Sequence, residues 1–383
     1  MIADCKRSDM PRFAAPATNN LRQTQMTPTS PMASCATSSF DRLPVALWPR
    51  LSAALDGKHL LLTGGTGFFG SWLLALLQRI NAAGTQVRVS VVSRDPARFL
   101  ADHPEHTDHS WLQWIATDIR SLDASHYRPV DLVVHAATDT SSQAHERPLE
   151  IFSSIVEGTR RVLDFACRNG ARRVLLTGSG AQYGAIPDGQ PVAEGAPLAC
   201  DSRLALSIYG ESKRMQETLA AVYMQQTGIE VVMTRCFAFS GPGLPLDGHF
   251  AIGNFVRDAL RGDGITLNSS GQAVRSYLHG ADLAVWLLVL LSEGVAGRAY
   301  NVGSDQALSV AELADLVRRR LAPGTPLRIL GRADGPRSYY VPAIDEARAL
   351  GLAPWTSLDD SIDAMAAWAN AHHSQRNPES LAS

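Results

Sequence analysis

The chain has 383 residues, of which 35 are Lys or Arg and 37 are Asp or Glu, so its charges nearly cancel. This balance argues against a protein that binds nucleic acid through a large basic surface. Hydrophobic residues make up 45% of the chain and charged residues 19%, which is enough apolar material for a large core and too much for a disordered protein.

The first 42 residues differ in composition from the remainder. Most of this segment is rich in Ala, Thr, Ser, Pro and Asn and has few large apolar side chains. Such a segment buries too little surface to offset the loss of chain entropy on folding. We therefore expect residues 1–42 to form a disordered extension, followed by a short amphipathic helix over residues 43–55.

Short β-like segments then alternate with helical ones. Apolar runs predict strands at 59–63, 87–93, 112–117, 132–135, 173–177 and 231–237, with helices at 71–80, 151–168 and 207–226. The strands are nearly all apolar, as in a parallel sheet covered by helices on both faces. The pattern predicts an α/β protein with a doubly wound parallel sheet over residues 43–240.

The last third of the chain is predicted to be a smaller α/β cap. Pro and Gly interrupt it, and helical spacing occurs at 251–261, 282–292, 310–320 and 359–371. We expect residues 241–383 to form mainly a substrate-binding cap that is interleaved with the sheet domain.

The cysteines indicate the compartment. There are five, none in a C-x-x-C pair, so the sequence predicts neither a disulfide framework nor a metal site. A reducing cytoplasm suits such a chain. No apolar run reaches the roughly 18–20 residues that a transmembrane helix requires, and we expect no association with a membrane.

A glycine-rich turn, T-G-G-T-G-F-F-G, ends the first predicted strand and opens the first helix. Here Gly64 permits a tight turn, Gly67 lets the backbone approach a pyrophosphate, and Gly70 lets the helix pack on the sheet. Free N–H groups at the helix start would hold the phosphates. The turn predicts a Rossmann-type dinucleotide site, with a purely structural turn as the alternative. The other predicted cofactor contacts are Phe68, Phe69, Ser93, Arg94, Asp118, Ile119, Ala136, Ala137, Tyr209 and Lys213.

The end of the second strand bears on which dinucleotide binds. An acidic residue there would bind the ribose 2′-hydroxyl of NAD, but Ser93 occupies that position and Arg94 follows it. Because an arginine can pair with a 2′-phosphate, we expect NADP(H), with NAD(H) as the alternative. Asp118, after the third strand, is placed to bind the adenine amino group.

Three residues form a candidate catalytic set. Tyr209 and Lys213 are four residues apart on one helix, and therefore on one face. A neighbouring ammonium group would lower the pKa of the phenol, so that Tyr209 could exchange a proton while hydride moves. Ser179 follows the fifth strand, at the sheet edge where ligands bind, and could hydrogen-bond the reacting oxygen.

These motifs, in this order, resemble the extended short-chain dehydrogenase/reductase family, in its NAD(P)-dependent epimerase/dehydratase group. The resemblance covers about residues 58–370 and includes the segment His135-Ala-Ala beside the cofactor. It implies a nucleotide-diphosphate sugar as substrate and a homodimer built through two long helices. It also implies substrate contacts at Asn254, Phe255, Arg275 and Arg332, although either arginine could instead form a structural ion pair.

Departures from the family pattern reduce the number of reactions that this sequence is expected to catalyse. The dehydratase branch has an acid–base pair directly after the catalytic Ser/Thr, but here Gly180 and Ala181 follow, and neither can move a proton. Ala181 also lacks the Glu of the decarboxylase branch. Small residues fit C4 epimerases and 4-ketoreductases. Ala238 and Ile155 replace two asparagines of the family pattern, which leaves the sugar and the local proton path undefined.

The sequence thus predicts an NAD(P)-dependent nucleotide-sugar C4 epimerase or 4-ketoreductase. Tyr209 would be the acid/base, Lys213 would tune it, and Ser179 would polarise the C4 oxygen. The alternatives are an NADPH-dependent reductase of a non-sugar carbonyl, a nucleotide-sugar dehydratase, and a catalytically silent sensor of NADP(H).

Overall fold

Seven parallel strands form the centre of the molecule. The computed structural model describes residues 30–123, 128–138, 146–248, 250–333 and 335–376. Its strands are β1 (His59–Thr63), β2 (Arg88–Ser93), β3 (Leu112–Ala116), β4 (Leu132–His135), β5 (Arg173–Ser179), β6 (Glu230–Cys236), β7 (Phe239–Ser240), β8 (Ile265–Leu267), β9 (Val274–Arg275), β10 (Leu278–His279), β11 (Ala299–Val302), β12 (Leu308–Ser309), β13 (Leu327–Ile329) and β14 (Tyr339–Tyr340). The central sheet has the order β11-β6-β5-β4-β1-β2-β3.

Helices cover the sheet and build the cap. They are α1 (Pro31–Phe40), α2 (Leu47–Leu55), α3 (Phe68–Ala82), α4 (Pro96–Asp102), α5 (Pro148–Phe152), α6 (Gly158–Arg168), α7 (Ile208–Thr227), α8 (Ala251–Arg261), α9 (Gly280–Glu293), α10 (Val310–Leu321), α11 (Asp345–Ala349) and α12 (Leu358–Arg376). A π-helical turn, Ser153–Glu157, joins α5 to α6.

The predicted fold class is confirmed. All six predicted strands are present, in parallel pairing, and their ends differ from the predictions by at most two residues. The seventh strand, β11, lies beyond residue 240 and pairs with β6. Two separate apolar clusters occupy the two faces of the sheet, as the apolar strands require.

Much of the C-terminal third forms a cap with its own apolar core. That core lies between α8 and α10 and includes Ile252, Val256 and Leu313. However, α9 packs on α3, where the Gly280 backbone lies against the Trp72 ring. The segment after residue 240 therefore supplies both cap and sheet-domain elements.

The expectation of disorder was wrong for residues 30–42, whereas residues 1–29 lie outside the described residues. Ser30 caps α1 by accepting a hydrogen bond from the backbone of Ala33 at 3.2 Å, and Pro31 occupies the first helical turn. Phe40 is buried and meets the ring of Trp72 edge to face, with centroids 5.8 Å apart. Composition missed this helix because its stability comes from packing against distant elements.

The carboxyl group of Asp282 is buried at the start of α9. It accepts hydrogen bonds from the backbone and hydroxyl groups of Thr356, both at 2.9 Å, and burial raises its pKa from 3.8 to about 7. The folded state therefore holds this proton more tightly than the unfolded state. The protonated Asp282 carboxyl group contributes its full stabilisation of the folded state below about pH 3.8, and this contribution is lost as the pH rises through about 7.

We expect the Tm of the wild type to fall, relative to that of Asp282→Asn, as the pH is raised from about 4 to about 8. Differential scanning calorimetry of the two proteins at matched ionic strength measures this. Because the two proteins differ only at residue 282, the pH dependence that arises from all other titratable groups cancels in the Tm difference. A Tm difference that does not change with pH would contradict a protonated Asp282 in the folded state.

Among the described helices, none has the length and apolar character needed to cross a lipid bilayer. Within the same ranges, no group of three or more His, Cys, Asp or Glu side chains is arranged to hold a metal ion.

Candidate active site

The glycine-rich turn lies between the end of β1 and the start of α3. Gly64 has a φ of +72°, and a Cβ there would lie 2.5 Å from the carbonyl oxygen of Ala136 and 2.7 Å from the amide of Ala137. The turn thus contacts the backbone that follows β4. Gly70 is equally restricted, since a Cβ there would lie 2.3 Å from the Gly65 backbone.

The start of α3 has the features of a phosphate site. Gly67 is the N-cap, and no side chain hydrogen-bonds the free amides of the first turn, which belongs to Phe68, Phe69 and Gly70. A Cβ on Gly67 would have its nearest neighbour at 3.5 Å, so this side of the turn is open. Free amides, the helix dipole and open space fit a dinucleotide pyrophosphate.

The end of β2 lies beside the glycine-rich turn. Ser93 is buried, and its hydroxyl oxygen lies 3.5 Å from that of Thr66. Both carboxylate oxygens of Asp118 are paired with the guanidinium of Arg120, at 2.9 Å each, and the nearby charge of Arg94 also lowers the pKa of Asp118, to about 2. Any contact of Asp118 with adenine would therefore be made by a carboxylate that already binds Arg120.

Ile119 sits in the apolar cluster on one face of the sheet. Its side chain packs against Gly158, where an added Cβ would lie 3.2 Å from it. Only its backbone remains for the cofactor contact that the sequence predicts.

The three predicted catalytic residues come from two neighbouring elements. Ser179 is the last residue of β5, and its hydroxyl accepts a hydrogen bond from the amide of Ala181 at 3.1 Å. Tyr209 and Lys213 lie one turn apart at the start of α7, which packs on β5. The structure thus brings Ser179 and Tyr209 together, and a side-chain hydrogen bond between them contributes to the pKa of Tyr209.

Lys213 is buried and has acceptors for all three of its protons. The ammonium donates to the hydroxyl of Thr138 at 2.8 Å, to the carbonyl of Thr177 at 2.7 Å and to the amide oxygen of Gln216 at 3.2 Å. Burial lowers its pKa to about 8. These bonds hold the ammonium at the ends of β4 and β5.

The expected effect of Lys213 on Tyr209 is not found in this structure. Burial raises the pKa of the Tyr209 phenol, and only the hydrogen bond with Ser179 acts in the opposite direction. The ammonium points to backbone and hydroxyl acceptors instead. Tyr209 is therefore a neutral phenol at neutral pH in this state.

A buried polar chain continues from Lys213 into the sheet domain. Gln216 donates to the Thr159 hydroxyl at 2.8 Å, and Nε2 of His135 lies 3.2 Å from the same oxygen. Nδ1 of His135 lies 2.8 Å from the Thr63 hydroxyl. Sequence reasoning missed this chain, although Gln216 could have been found from its position three residues after Lys213 on the same helix.

The π-helical turn contains one of the departures from the family pattern. Ile155 lies in this turn and is fully buried, and its carbonyl accepts a hydrogen bond from Thr159 at 2.6 Å. The side chain at position 155 is thus apolar, and Lys213 is hydrogen-bonded to Gln216 instead.

Arg275 is the clearest candidate for an anion site. It lies on β9, half-buried, and its guanidinium donates only to backbone carbonyls, of Val274 at 2.8 Å and Ser338 at 3.3 Å. No carboxylate of the described residues pairs with it. Burial lowers its pKa, because no negative charge compensates for the lost water.

The other predicted substrate residues are placed differently. The Asn254 amide donates to the Gly248 carbonyl at 3.0 Å and accepts from Arg257 at 3.1 Å, so its side chain binds its own helix and loop. Phe255 is buried in the cap core. Arg332 is exposed in the loop after β13.

Tyr340 is a site residue that sequence reasoning missed. It lies on β14, next to Arg275 on β9, with the guanidinium carbon 5.7 Å from the ring centre. Its phenol lies 3.4 Å from the Cys236 carbonyl and also interacts with the Ser179 hydroxyl. No local signal marked it, because only the folding of the cap brings it to Ser179.

Comparison with known proteins identifies the family. Residues 60–303 match the profile of the NAD dependent epimerase/dehydratase family. The chain belongs to this family. It is an enzyme of the extended short-chain dehydrogenase/reductase type, as the order of its motifs predicts.

Two curated relatives show that members of this family catalyse different reactions. UDP-glucuronic acid decarboxylase 1 of Xenopus tropicalis is 28% identical over 320 residues, which cover 80% of this chain and 71% of the relative. A dTDP-glucose 4,6-dehydratase of Actinoplanes sp. is 30% identical over 335 residues, 82% of this chain and 98% of the relative.

Solved structures share the fold of this family member. The dTDP-glucose 4,6-dehydratase of Streptomyces venezuelae, solved with NAD bound, is 26% identical, with a TM-score of 0.71 over 84% of this chain and 99% of that one. Some 4-epimerases with lower identity also share the fold.

Proposed function

We propose that the enzyme carries out hydride chemistry at C4 of a nucleotide-diphosphate sugar, as a C4 epimerase or a 4-ketoreductase. The observation that carries this proposal is the meeting of Ser179, Tyr209 and Lys213 at the carboxyl ends of the strands, with no second acid–base group after Ser179. The nicotinamide of the bound cofactor would supply the hydride acceptor or donor.

The protein side chains would divide the remaining work. Tyr209 would exchange the proton of the C4 hydroxyl, and Ser179 would hydrogen-bond the same oxygen. Lys213 would contribute a positive charge to the cofactor site, and together with the charge of an oxidised nicotinamide it would favour the Tyr209 phenolate once the cofactor is bound. Arg275 would pair with the diphosphate.

The relatives include decarboxylases and a dehydratase, but two residues favour C4 chemistry without loss of water or CO2. Gly180 and Ala181 follow Ser179, and neither has a group that can move a proton. A 4,6-dehydration needs further proton transfers, because a base must remove the proton of C5 and an acid must protonate the hydroxyl that leaves C6. The proposed reaction needs only the proton exchanged by Tyr209.

The cofactor separates an epimerase from a ketoreductase. An epimerase would return the hydride to the opposite face of the same sugar and would keep its cofactor, whereas a ketoreductase must exchange it. Ser93 and Arg94 favour NADP(H), while the solved relative from Streptomyces venezuelae holds NAD. We therefore propose NADP(H) and a 4-ketoreductase first, with an NAD-dependent epimerase as the second candidate.

Mass spectrometry of the cofactor released from purified protein, followed by NADPH oxidation assays with 4-keto nucleotide sugars, tests this choice. Turnover that consumes NADPH would establish the reductase. Retained NAD, together with interconversion of two nucleotide sugars and no net oxidation, would establish the epimerase. Reduction of non-sugar carbonyls alone would overturn both.

The diphosphate contact is tested by Arg275→Ala. We expect KM for the nucleotide sugar to rise about 10- to 100-fold with a smaller change in kcat, since a charge-assisted pair contributes about 1.5–3 kcal/mol. The matched control is Arg337→Ala, because Arg337 is an exposed arginine of the same cap whose partner is Asp188 at 2.8 Å. An unchanged KM in Arg275→Ala would favour a substrate without a diphosphate.

We also propose a homodimer located in the cytoplasm. Leu149, Phe152, Met215 and Val222, on α5 and α7, are exposed apolar side chains that a second copy could cover. The four described cysteines are all free, which suits a reducing compartment. Analytical ultracentrifugation of the wild type and of Leu149→Asp tests the dimer.

A further inference from the structure

The feature that goes beyond the proposed function is a second phenol at the catalytic serine. Tyr340 is carried by the cap strand β14, which pairs in parallel with β9, while Tyr209 is carried by α7. Both phenols interact with the Ser179 hydroxyl, and Tyr209 also affects the pKa of Tyr340. The site therefore contains three hydroxyl groups from three separate elements.

Tyr340 occupies the space beside the first residue after Ser179. A Cβ built on Gly180 would lie 2.8 Å from the Tyr340 hydroxyl oxygen and 2.8 Å from Cζ of Phe237. A residue larger than glycine at position 180 would have to displace the phenol. The polar group next to Ser179 is thus supplied by the cap, not by the segment that follows β5.

The ring of Tyr340 is held firmly in this place. It packs on the ring of Phe237, with centroids 4.6 Å apart, and its hydroxyl lies 3.4 Å from the carbonyl of Cys236. The Arg275 guanidinium lies beyond the ring, on the side of the proposed diphosphate. Like Tyr209, Tyr340 remains partly exposed and so can reach a ligand.

This inference rests on the proposed function. We propose that Tyr340 is a further catalytic residue, whose phenol O–H turns from its long hydrogen bond to the Cys236 carbonyl, at 3.4 Å, and donates instead to the reacting C4 oxygen of the sugar beside Ser179. The negative charge that develops on this oxygen would then be held by two neutral hydroxyl donors, in the manner of an oxyanion hole. Tyr340 keeps its proton throughout, and Tyr209 alone exchanges one.

The surroundings of Tyr340 keep its phenol protonated. Burial raises the pKa of Tyr340, the hydrogen bond with Ser179 opposes this only in part, and neighbouring Tyr209 and Cys236 raise the pKa further. Tyr340 therefore stays a donor over the whole working range of pH.

Tyr340→Phe tests the proposal, because the phenyl ring preserves the packing on Phe237. We expect kcat to fall about 100-fold, the usual effect of removing one oxyanion donor, while KM changes less than about threefold. Tyr339→Phe is the matched control, since Tyr339 is the preceding residue of the same strand and is buried with Ile186 and Val192 in the apolar cluster against which Tyr340 packs. It should retain the wild-type kcat.

A second variant replaces Tyr340 with 3,5-difluorotyrosine, which keeps the ring and the hydroxyl but ionises at lower pH. We expect a new loss of kcat on the alkaline side, at the pH where the fluorinated phenol loses its proton. If Tyr340 only filled space, the fluorinated variant would show no such additional loss of kcat at alkaline pH. If Tyr340→Phe is destabilised, with a lowered Tm, the pH dependence of the fluorinated variant still tests whether the phenol proton of Tyr340 is needed.

The outcomes separate the two proposals. An active wild type whose Tyr340→Phe variant keeps its kcat would overturn this inference and leave the proposed function intact. A wild type that transfers no hydride to or from any nucleotide sugar would overturn both. A variant that loses affinity for the sugar but not kcat would make Tyr340 a binding residue and would also overturn the inference.

Discussion

Replacing Tyr209 with phenylalanine is expected to lower kcat about 10³-fold while cofactor binding is retained. The magnitude is that of losing a positioned general acid–base group. The reason is structural: Lys213 is bound to Thr138, Thr177 and Gln216, so among the catalytic residues proposed from the described part of the chain only Tyr209 would take the proton of the C4 hydroxyl. Steady-state kinetics and quenching of protein fluorescence by the cofactor measure the two effects.

Tyr223→Phe is the control for this variant. Tyr223 lies on the same helix, and its hydroxyl donates to Asp164 at 2.6 Å, away from the catalytic residues. Its loss should lower the Tm by a few degrees at most and leave kcat unchanged. If Tyr209→Phe kept more than about a tenth of the wild-type kcat, Tyr209 would not be the acid/base.

Replacing Gly64 with alanine should weaken cofactor binding at least about tenfold, equivalent to about 1.4 kcal/mol or more. Two effects combine. Alanine is strained at a φ of +72°, and its Cβ would press on the backbone of Ala136 and Ala137. A turn that moves to relieve this contact would also displace the amides proposed to hold the pyrophosphate. Isothermal titration with NADP(H) or NAD(H) measures the loss.

Gly57→Ala separates the two effects. Gly57 has nearly the same backbone angle, a φ of +70°, but a Cβ at this position would have no other atom within 4 Å. The substitution should lower the stability by the backbone strain alone, about 1 kcal/mol, and leave cofactor affinity unchanged. Equal affinities for Gly57→Ala and Gly64→Ala would show that the turn does not form the cofactor site.

The elements that sequence predicted well are those specified locally. Strand β1 and the turn after it combine an apolar run with glycines at fixed spacing, and the structure contains them where they were expected. The spacing of Tyr209 and Lys213 likewise needs only one helix. Elements that depend on distant contacts were missed: α1 has a polar composition, yet Met32, Ala36 and Phe40 are buried against other helices.

The same distinction applies to the site. Ser179 could be found because it ends a strand, and ligands bind at that edge of an α/β sheet. Tyr340 could not, because its position follows from the pairing of β14 with β9 and from how the cap meets the sheet domain. The placement of Asn254 and Phe255 shows the converse, since matching a motif did not fix where their side chains point.

The packing of α1 has a consequence for the synthesis of the protein. Arg42, just after this helix, pairs with Asp360 at 2.8 Å, and Ser39 and Ser361 bind opposite nitrogens of His279. These partners belong to α12 and to the segment before α9, so they leave the ribosome long after α1 does. Folding of nascent chains proceeds from the N-terminus, but contacts between distant segments form slowly. The part of α1 that faces α12 therefore stays uncovered during much of translation, and these two helices come together only after α12 has been made.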